Sequence, residues 1–188
     1  MRTKMPIIGL AILLVAFAAC ERGDEAERGE RAMPSAQAVK APTWMDKLAG
    51  YLPALGHRNW IVVADSAFPL QISPGIETIA TGEDHFAVLA KVLEAVGGAK
   101  HIRPKIWLDK ELGFVTEDLA PGADEAKRRL DEALQGRGAA PVLHEELIAR
   151  LDQAGRAFKI VMVKTTLAVP YTSVFLELDC GYWPAAAE

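Results

Sequence analysis

The sequence lacks the residue patterns that mark metal, redox or nucleotide chemistry. Its 188 residues include two cysteines, Cys20 and Cys180, and four histidines. There is no CxxC pair, no HExxH, no GxSxG nucleophile elbow and no phosphate-binding GxxxxGK[ST] loop. These absences argue against metalloenzymes, nucleotide-dependent enzymes and common hydrolases. They predict a site that uses no metal and no cofactor.

An excess of basic charge is also missing. The chain has 21 Lys and Arg against 25 Asp and Glu, which gives a net charge of −4. A surface that follows a phosphate backbone would need clustered Lys and Arg, so nucleic acid is not an expected partner. Hydrophobic residues make up 51% of the chain, which is enough for a folded core. The length suits one domain with appendages.

The N-terminus carries a short apolar segment after a basic start. Arg2 and Lys4 precede residues 5–19, which contain no charge, and small residues lie at the end of the segment. This pattern is typical of a secretory signal peptide, and the segment is shorter than the ~20 residues of a membrane-spanning helix. Residues 17–20 read Phe-Ala-Ala-Cys and resemble a bacterial lipobox, although Phe17 replaces the usual Leu. We predict a signal peptide over residues 1–20 and lipidation of Cys20; the alternative is an ordinary cleaved signal, in which Cys20 has no role.

Residues 21–43 form a different kind of segment. They are charged, rich in Ala, Gly and Pro, and almost free of large apolar side chains. Such a composition cannot bury enough surface to fold, which predicts a disordered tether. The protein is therefore expected to be an exported lipoprotein, anchored to the membrane and facing the periplasm. Its folded domain is expected over residues 44–188.

Helical and extended patterns alternate after Trp44. Apolar residues at helical spacing predict helices over 45–55 and 83–96. Acid–base pairs four residues apart, with the acid first, predict a surface helix over 123–134, and a further helix is predicted over 145–154, before Gly155. Apolar runs predict strands over 60–64, 105–108, 142–143, 158–163 and 173–178. This order predicts an α/β fold with three layers, in which helices flank a mixed, mostly parallel sheet. Ligands of such sheets bind beyond the carboxyl ends of the strands, which directs attention to Asp65.

The segment around Asp65 carries the most informative motif. Gly56 and His57 end a helix, a buried strand follows, and Asp65 leaves that strand before a loop that contains Pro69. Here the chain resembles the ribose pyranase and fucose mutarotase (RbsD/FucU) family, which has the same eight-residue interval from His to Asp. The resemblance covers roughly residues 44–184. It implies an RbsD-like fold and a ring-like homo-oligomer with sites near subunit boundaries.

Further segments extend the resemblance and also depart from it. His144-Glu145-Glu146-Leu147 resembles a family segment that contacts sugar, and Tyr171-Thr172-Ser173 lies where the family has Tyr-x-Asn before its final strand. Ser173 in place of Asn loses an amide that both donates and accepts hydrogen bonds. Two additional residues in the loop 164–170, and about one additional helical turn after His144, also differ from the family.

The resemblance implies a reaction and a set of site residues. A cyclic sugar opens and recloses, which requires one proton to leave the anomeric hydroxyl and another to reach the ring oxygen. A histidine suits this because its pKa of ~6.5 allows both proton states near neutral pH. We expect His57 to be the proton donor. The resemblance implies contacts to a fucose- or ribose-like monosaccharide from Asp65, His144, Tyr171 and Ser173.

Three of these residues also have a plain structural interpretation. His57 could bond the backbone carbonyls at a helix end, Asp65 could stabilise a turn, and Tyr171 could pack beside Pro170. Geometry adds a constraint, since the strand between His57 and Asp65 spans ~17 Å if extended. The two side chains meet only if the flanking loops fold back or if a neighbouring chain completes the site.

Three functions are compatible with the sequence. The first is a cofactor-independent isomerase, a monosaccharide mutarotase or pyranase. The second is a non-catalytic sugar-binding lipoprotein of the same fold, and the third is a scaffold for protein partners. His85 and His101 lie in polar or turn segments and are predicted to face solvent, whereas Cys180 ends an apolar strand and is predicted to be a buried thiol.

Overall fold

The computed structural model describes residues 41–182. The predicted signal peptide, Cys20 and nearly all of the predicted tether lie outside the described residues. Among the residues that are described, no helix is both long and apolar enough to cross a membrane.

Four helices and six strands make up the described part of the chain. The helices are α1 (Trp44–Tyr51), α2 (His85–Gly98), α3 (Ala123–Leu134) and α4 (His144–Ala154), and two short 3-10 turns lie at Leu52–Ala54 and Lys110–Phe114. The strands are β1 (Trp60–Ala64), β2 (Ile76–Ala80), β3 (Ile102–Asp109), β4 (Ala140–Val142), β5 (Ile160–Lys164) and β6 (Val174–Cys180).

The six strands form one sheet in the order β2-β5-β1-β6-β3-β4. The pairs β1–β5, β2–β5 and β3–β4 are parallel, while β6 runs antiparallel to both of its neighbours, β1 and β3. The mixed, mostly parallel sheet predicted from the sequence is therefore confirmed. Strand β2 is an addition to that prediction.

Helices cover both faces of the sheet, which confirms the three layers. Ile61 and Val63 of β1 point into a core shared with α1, α2 and α3. Trp60 and Val62 point to the opposite face and pack against Leu147 and other residues of α4. Every residue of β1 is buried, because the strand lies inside the sheet with apolar cover on both sides.

The helix that leads toward the candidate site begins at a polar cap. Asp84 precedes α2, and its carboxylate accepts a hydrogen bond from the backbone N–H of Ala87 at 2.9 Å. This interaction satisfies one of the free N–H groups at the helix start. The first helical residue, His85, is turned inward.

The predictions that His85 and His101 face solvent are both wrong. His85 is completely buried, so the prediction that it faces solvent is wrong. His101 is half-buried, and its Nε2 lies 3.1 Å from the carbonyl of Leu55. Both side chains find polar partners more than 40 residues away along the chain, which local sequence polarity does not indicate. Cys180, predicted to be buried, is half-buried.

Candidate functional site

A cavity of about 170 Å³ lies at the carboxyl edge of the parallel strands, where the sequence analysis expects ligands. It sits between the loop that follows β1, the start of α4 and the loop that precedes β6. Its lining consists of Asp65, Ala67, Phe68, Pro69, His144, Pro170 and Tyr171. Three of the predicted sugar-binding residues thus meet at one cavity.

Asp65 is fixed in place by three hydrogen bonds. Its Oδ1 accepts from the backbone N–H groups of Ala67 and Phe68 at 2.9 and 3.0 Å, which closes the turn after β1. Its Oδ2 accepts from the hydroxyl of Ser173 at 2.8 Å. Asp65 therefore stabilises a turn and lines the cavity at the same time, and only 2% of its surface is exposed.

Ser173 supports the site from behind instead of lining the cavity. It is completely buried, and its hydroxyl donates to Asp65. The Asp65 backbone N–H donates to the same hydroxyl oxygen at 3.1 Å. The contact that the sequence predicted between Ser173 and a ligand has no surface of Ser173 available to it in the single chain.

His144 is oriented by a buried carboxylate. Its Nδ1 lies 2.9 Å from Oδ1 of Asp109, the last residue of β3. The backbone N–H of His144 donates to Glu111 at 3.0 Å, because α4 begins here and its first N–H groups need an acceptor. A carboxylate at Nδ1 favours the proton on that nitrogen and leaves Nε2 to exchange a proton with a ligand. Such a pair is suited to general acid–base chemistry.

Burial dominates the electrostatics of Asp109. Loss of solvent raises the pKa of this carboxyl to about 6, although the hydrogen bond from His144 and its charge act in the opposite direction. Asp109 is 2% exposed, and its Oδ2 has no hydrogen-bond partner among residues 41–182. Burial therefore favours the protonated form of the Asp109 carboxyl, which lies directly beside His144.

Aromatic rings form the walls beside His144. The ring of Tyr171 meets the imidazole edge-on with centroids 5.2 Å apart, and Phe68 does so at 5.8 Å. Tyr171 has a φ of 62°, in the left-handed region that side chains other than glycine rarely adopt. Backbone of this kind is retained where surrounding contacts hold it, often at ligand sites.

His57 lies elsewhere. Its Nδ1 is 3.0 Å from Asp179 near the end of β6, and 60% of its side chain is exposed. The backbone N–H of Cys180 and the side chains of Lys105 and His57 hold the pKa of Asp179 well below its usual range. Asp179 is on the opposite edge of the sheet from the cavity, so the loops beside β1 do not fold back to bring His57 to Asp65. Completion of the site by a neighbouring chain stays a prediction.

Sequence reasoning missed Asp109, Phe68 and Glu111. Asp109 ends a strand parallel to β1, so the rule that selected Asp65 could have selected it too. Phe68 stands in the loop after β1, and Glu111 follows β3 by two residues. Within residues 41–182, no group of three or more His, Cys, Asp or Glu side chains could hold a metal ion.

Comparison with known proteins yields structural neighbours alone. No protein-family profile matches the chain, and no curated protein sequence matches it. Among solved structures, Bacillus subtilis RbsD complexed with D-ribose is 16% identical, with 71% of this chain and 91% of that chain covered and a TM-score of 0.48. The fucose mutarotase from Streptococcus pneumoniae, in complex with L-fucose, is 18% identical, with 71% and 91% covered and a TM-score of 0.47.

A third neighbour, FucU from Bifidobacterium longum, is 15% identical, with 71% of this chain and 93% of that chain covered and a TM-score of 0.46. These neighbours are proteins of the RbsD/FucU family, whose members include sugar pyranases and mutarotases. At such identities a likeness of this kind concerns the fold alone.

Proposed function

We propose that this chain binds a monosaccharide in the carboxyl-edge cavity and interconverts its cyclic forms. The observation that carries the proposal is the convergence of Asp65, Tyr171 and the Asp109-oriented His144 on one cavity. A buried carboxylate and an aromatic wall are groups that recognise sugar hydroxyls and the apolar faces of sugar rings. A fucose- or ribose-like sugar is the substrate class that the sequence resemblance implies.

The chemistry requires two protons and conserves atoms and charge. His144 Nε2 accepts the proton of the anomeric hydroxyl while an acid delivers a proton to the ring oxygen. The bond between the anomeric carbon and the ring oxygen breaks, and the anomeric carbon becomes a carbonyl. Rotation and reclosure, with the proton transfers reversed, give the other anomer or ring size. In this proposal Asp65 holds sugar hydroxyls and Asp109 stabilises the imidazolium formed on His144.

The acid that protonates the ring oxygen is proposed to be His57 of another copy of the chain. Exposed apolar side chains next to the cavity support this arrangement. Leu70 follows Pro69, and Leu143 precedes His144. Phe114 and Leu119 line an adjoining cavity of about 350 Å³ that shares Pro170 and Tyr171. These four residues, the apolar rim, are each between 52% and 76% exposed. Exposed apolar surface of this kind is typical of an interaction site. We propose that a second copy covers it.

Exchange NMR tests the catalytic proposal. Wild-type protein should accelerate anomer interconversion of ribose, fucose or galactose. His144→Ala should lower that rate by a factor of about 100 or more, since a positioned acid–base group contributes on this scale. His101→Ala, which removes a histidine bonded to a backbone carbonyl away from the cavity, is the matched control and should retain the rate. If His144→Ala exchanges sugar as fast as wild type, the proton acceptor is assigned incorrectly.

A non-catalytic sugar-binding protein is the second candidate. It is favoured by Ser173, whose hydroxyl is used by Asp65 and is not free to contact a ligand. Saturation-transfer NMR separates the two candidates. Saturation transfer to a sugar whose exchange rate stays at the uncatalysed value would support the binding protein and contradict the enzyme.

The lipid anchor belongs to the same proposal. The pattern of residues 17–20 supports export and acylation of Cys20, and it supports a domain tethered on the periplasmic side of a membrane. Several acyl chains on one residue would give durable anchoring, because each buried CH₂ contributes ~0.8 kcal/mol. Mass spectrometry of detergent-extracted protein should find Cys20 acylated at the N-terminus. An unmodified N-terminus in the aqueous fraction would contradict the anchor.

A further inference from the structure

His85 is a buried polar residue that the proposed reaction does not use. It is completely buried in the first turn of α2. Burial lowers its pKa to about 4, although the negative charges of Asp65 and Asp84 and the backbone of Thr172 act to raise it. At neutral pH the imidazole is therefore uncharged, with one N–H donor and one nitrogen lone pair.

One ring nitrogen of His85 is tied to the strand that carries Asp65. Its Nδ1 lies 2.9 Å from the hydroxyl oxygen of Thr165, and that hydroxyl donates its proton to the carbonyl of Ala64 at 2.9 Å. A hydroxyl has a single proton, so Thr165 accepts its second hydrogen bond from Nδ1–H of His85. This series of hydrogen bonds ends at Ala64, the residue before Asp65. The Thr165 backbone N–H donates to the same Ala64 carbonyl.

Asp65 is thereby supported from both neighbouring strands. On the β6 side, Ser173 bonds the carboxylate directly. On the β5 side, Thr165 bonds the backbone at Ala64, and His85 fixes the Thr165 hydroxyl in the direction of that carbonyl. Thr165 is 5% exposed, so water does not replace these contacts.

Packing alone does not account for a histidine at this position. Nε2 of His85 has no hydrogen bond of acceptable geometry among the described residues, although the nearby Thr172 backbone acts to raise the pKa of the ring. A buried polar atom without a good hydrogen bond destabilises a folded protein, and an apolar side chain of similar size would avoid that penalty. The contact between Nδ1 and Thr165 is therefore the polar interaction that favours an imidazole here.

We propose that His85 is a positioning residue, which sets the orientation of Asp65 toward the bound sugar by acting through Thr165 and the Ala64 carbonyl. The inference rests on the proposed function, because Asp65 must bind sugar hydroxyls for its orientation to matter. His85 itself does not line the cavity and does not touch the sugar.

Three substitutions at one position test the proposal. Asparagine places an amide N–H close to the position of Nδ1, glutamine places its amide close to Nε2, and leucine provides bulk without a donor. The dissociation constants of D-ribose and L-fucose are measured by NMR titration, and the melting temperature is measured alongside. We expect His85→Leu and His85→Gln to weaken sugar binding about tenfold, the size of one lost hydrogen bond, and His85→Asn to stay within about twofold of wild type.

Thr165→Val removes the hydroxyl that links His85 to the Ala64 carbonyl, while keeping the shape of the side chain. It should weaken sugar binding to the same extent as His85→Leu, and it keeps the proposal testable if His85→Leu does not fold. Unchanged dissociation constants in Thr165→Val, with or without a lower melting temperature, would overturn the positioning role. So would an asparagine variant that binds as weakly as the leucine variant. If wild-type protein binds neither sugar, the proposed function fails first, so the two failures are distinguishable.

Discussion

Burial and a histidine act on the carboxyl group of Asp109 in opposite directions. Burial raises its pKa to about 6, and His144 provides the favourable contact that limits this rise. The negative charge of Asp109 is costly inside the protein, but in the proposed reaction it stabilises the imidazolium of His144. The same residue therefore links the stability of the fold to the proposed proton transfer.

Replacement of Asp109 by asparagine should separate the two effects. Asn keeps an oxygen that accepts from Nδ1 of His144 but carries no charge, so we expect sugar exchange to fall at least tenfold. In wild type, a folded pKa of about 6 against an ordinary value of 3.8 means that the folded state holds the proton more tightly. Stability contributed in this way is present below about pH 4 and is lost as the pH rises through about 6.

Urea unfolding between pH 4 and pH 8 checks this sign. The free energy of unfolding of wild type, relative to Asp109→Asn, should decrease across that range by about 3 kcal/mol at most. A difference that increases with pH would show that the folded protein stabilises the charged carboxylate. An unchanged sugar exchange rate in Asp109→Asn would remove Asp109 from the reaction.

Elements with a strong local pattern could be predicted from the sequence, and weak ones could not. Strand β1 was predicted with its observed bounds because five consecutive apolar residues require burial on both faces. Helix α3 was also predicted with its bounds, from acidic and basic side chains that alternate at a spacing of four residues. Strand β2 was missed because Glu77 and Thr78 interrupt its apolar character, as an edge strand allows.

Strand β3 begins at Ile102, three residues before the predicted strand over 105–108, and it includes Pro104. Pro104 lies outside the stretch Trp107–Asp109 that pairs with β4. Because no strand pairs with Pro104 on the β4 side, the missing backbone N–H on that side costs no hydrogen bond between strands.

The candidate site was half predictable from the sequence. The carboxyl-end rule and the family resemblance indicated Asp65, His144 and Tyr171, which meet at the cavity. Asp109 and His85 were missed because their partners, His144 and Thr165, are 35 and 80 residues away. A single sequence contains no record of such pairings.

Alanine substitution at two glycines is expected to change the stability of the protein in opposite directions. A Cβ at Gly75, just before β2, would lie 2.1 Å from the carbonyl oxygen of Phe158 and 2.6 Å from that of Gly155. Gly75→Ala must therefore displace backbone at the start of β2 and β5, and we expect a loss of about 1–3 kcal/mol. In α1, a Cβ at Gly50 meets nothing within 4 Å, so Gly50→Ala should stabilise the protein by about 0.5–1 kcal/mol. Chemical denaturation measures both, and a Gly75→Ala variant as stable as wild type would contradict the close approach.

At the scale of the whole molecule, the two histidine–carboxylate pairs lie on opposite edges of the sheet. His144 pairs with Asp109 beside the cavity, and His57 pairs with Asp179 at the other edge. A chain built in this way presents its own His57 outward. In the proposed assembly of several chains, His57 would reach a neighbour's cavity, with the apolar rim as the contact surface.

Mixing of inactive variants tests the shared site. His57→Ala and His144→Ala should each exchange sugar slowly as pure proteins. After subunit exchange, mixed assemblies contain some sites with both histidines intact, so part of the wild-type rate should return. The His57→Ala, His144→Ala double variant mixed with His57→Ala is the control, since none of its sites is complete. Mixed assemblies verified by native mass spectrometry that remain inactive would contradict the sharing of His57 between chains.

The position of β6 has a consequence for the order in which the protein can form. This strand lies between β1 and β3, so it joins β2-β5-β1 to β3-β4, yet among residues 41–182 it is the last strand in sequence order. Its register pairs Ile61 with Leu176, more than 100 residues later, and such distant pairings form slowly. A ribosome that has not yet released Val174–Cys180 therefore holds two partial sheets with open inner edges. The sheet therefore closes into one unit only once Val174–Cys180 has been synthesised and has paired with both β1 and β3.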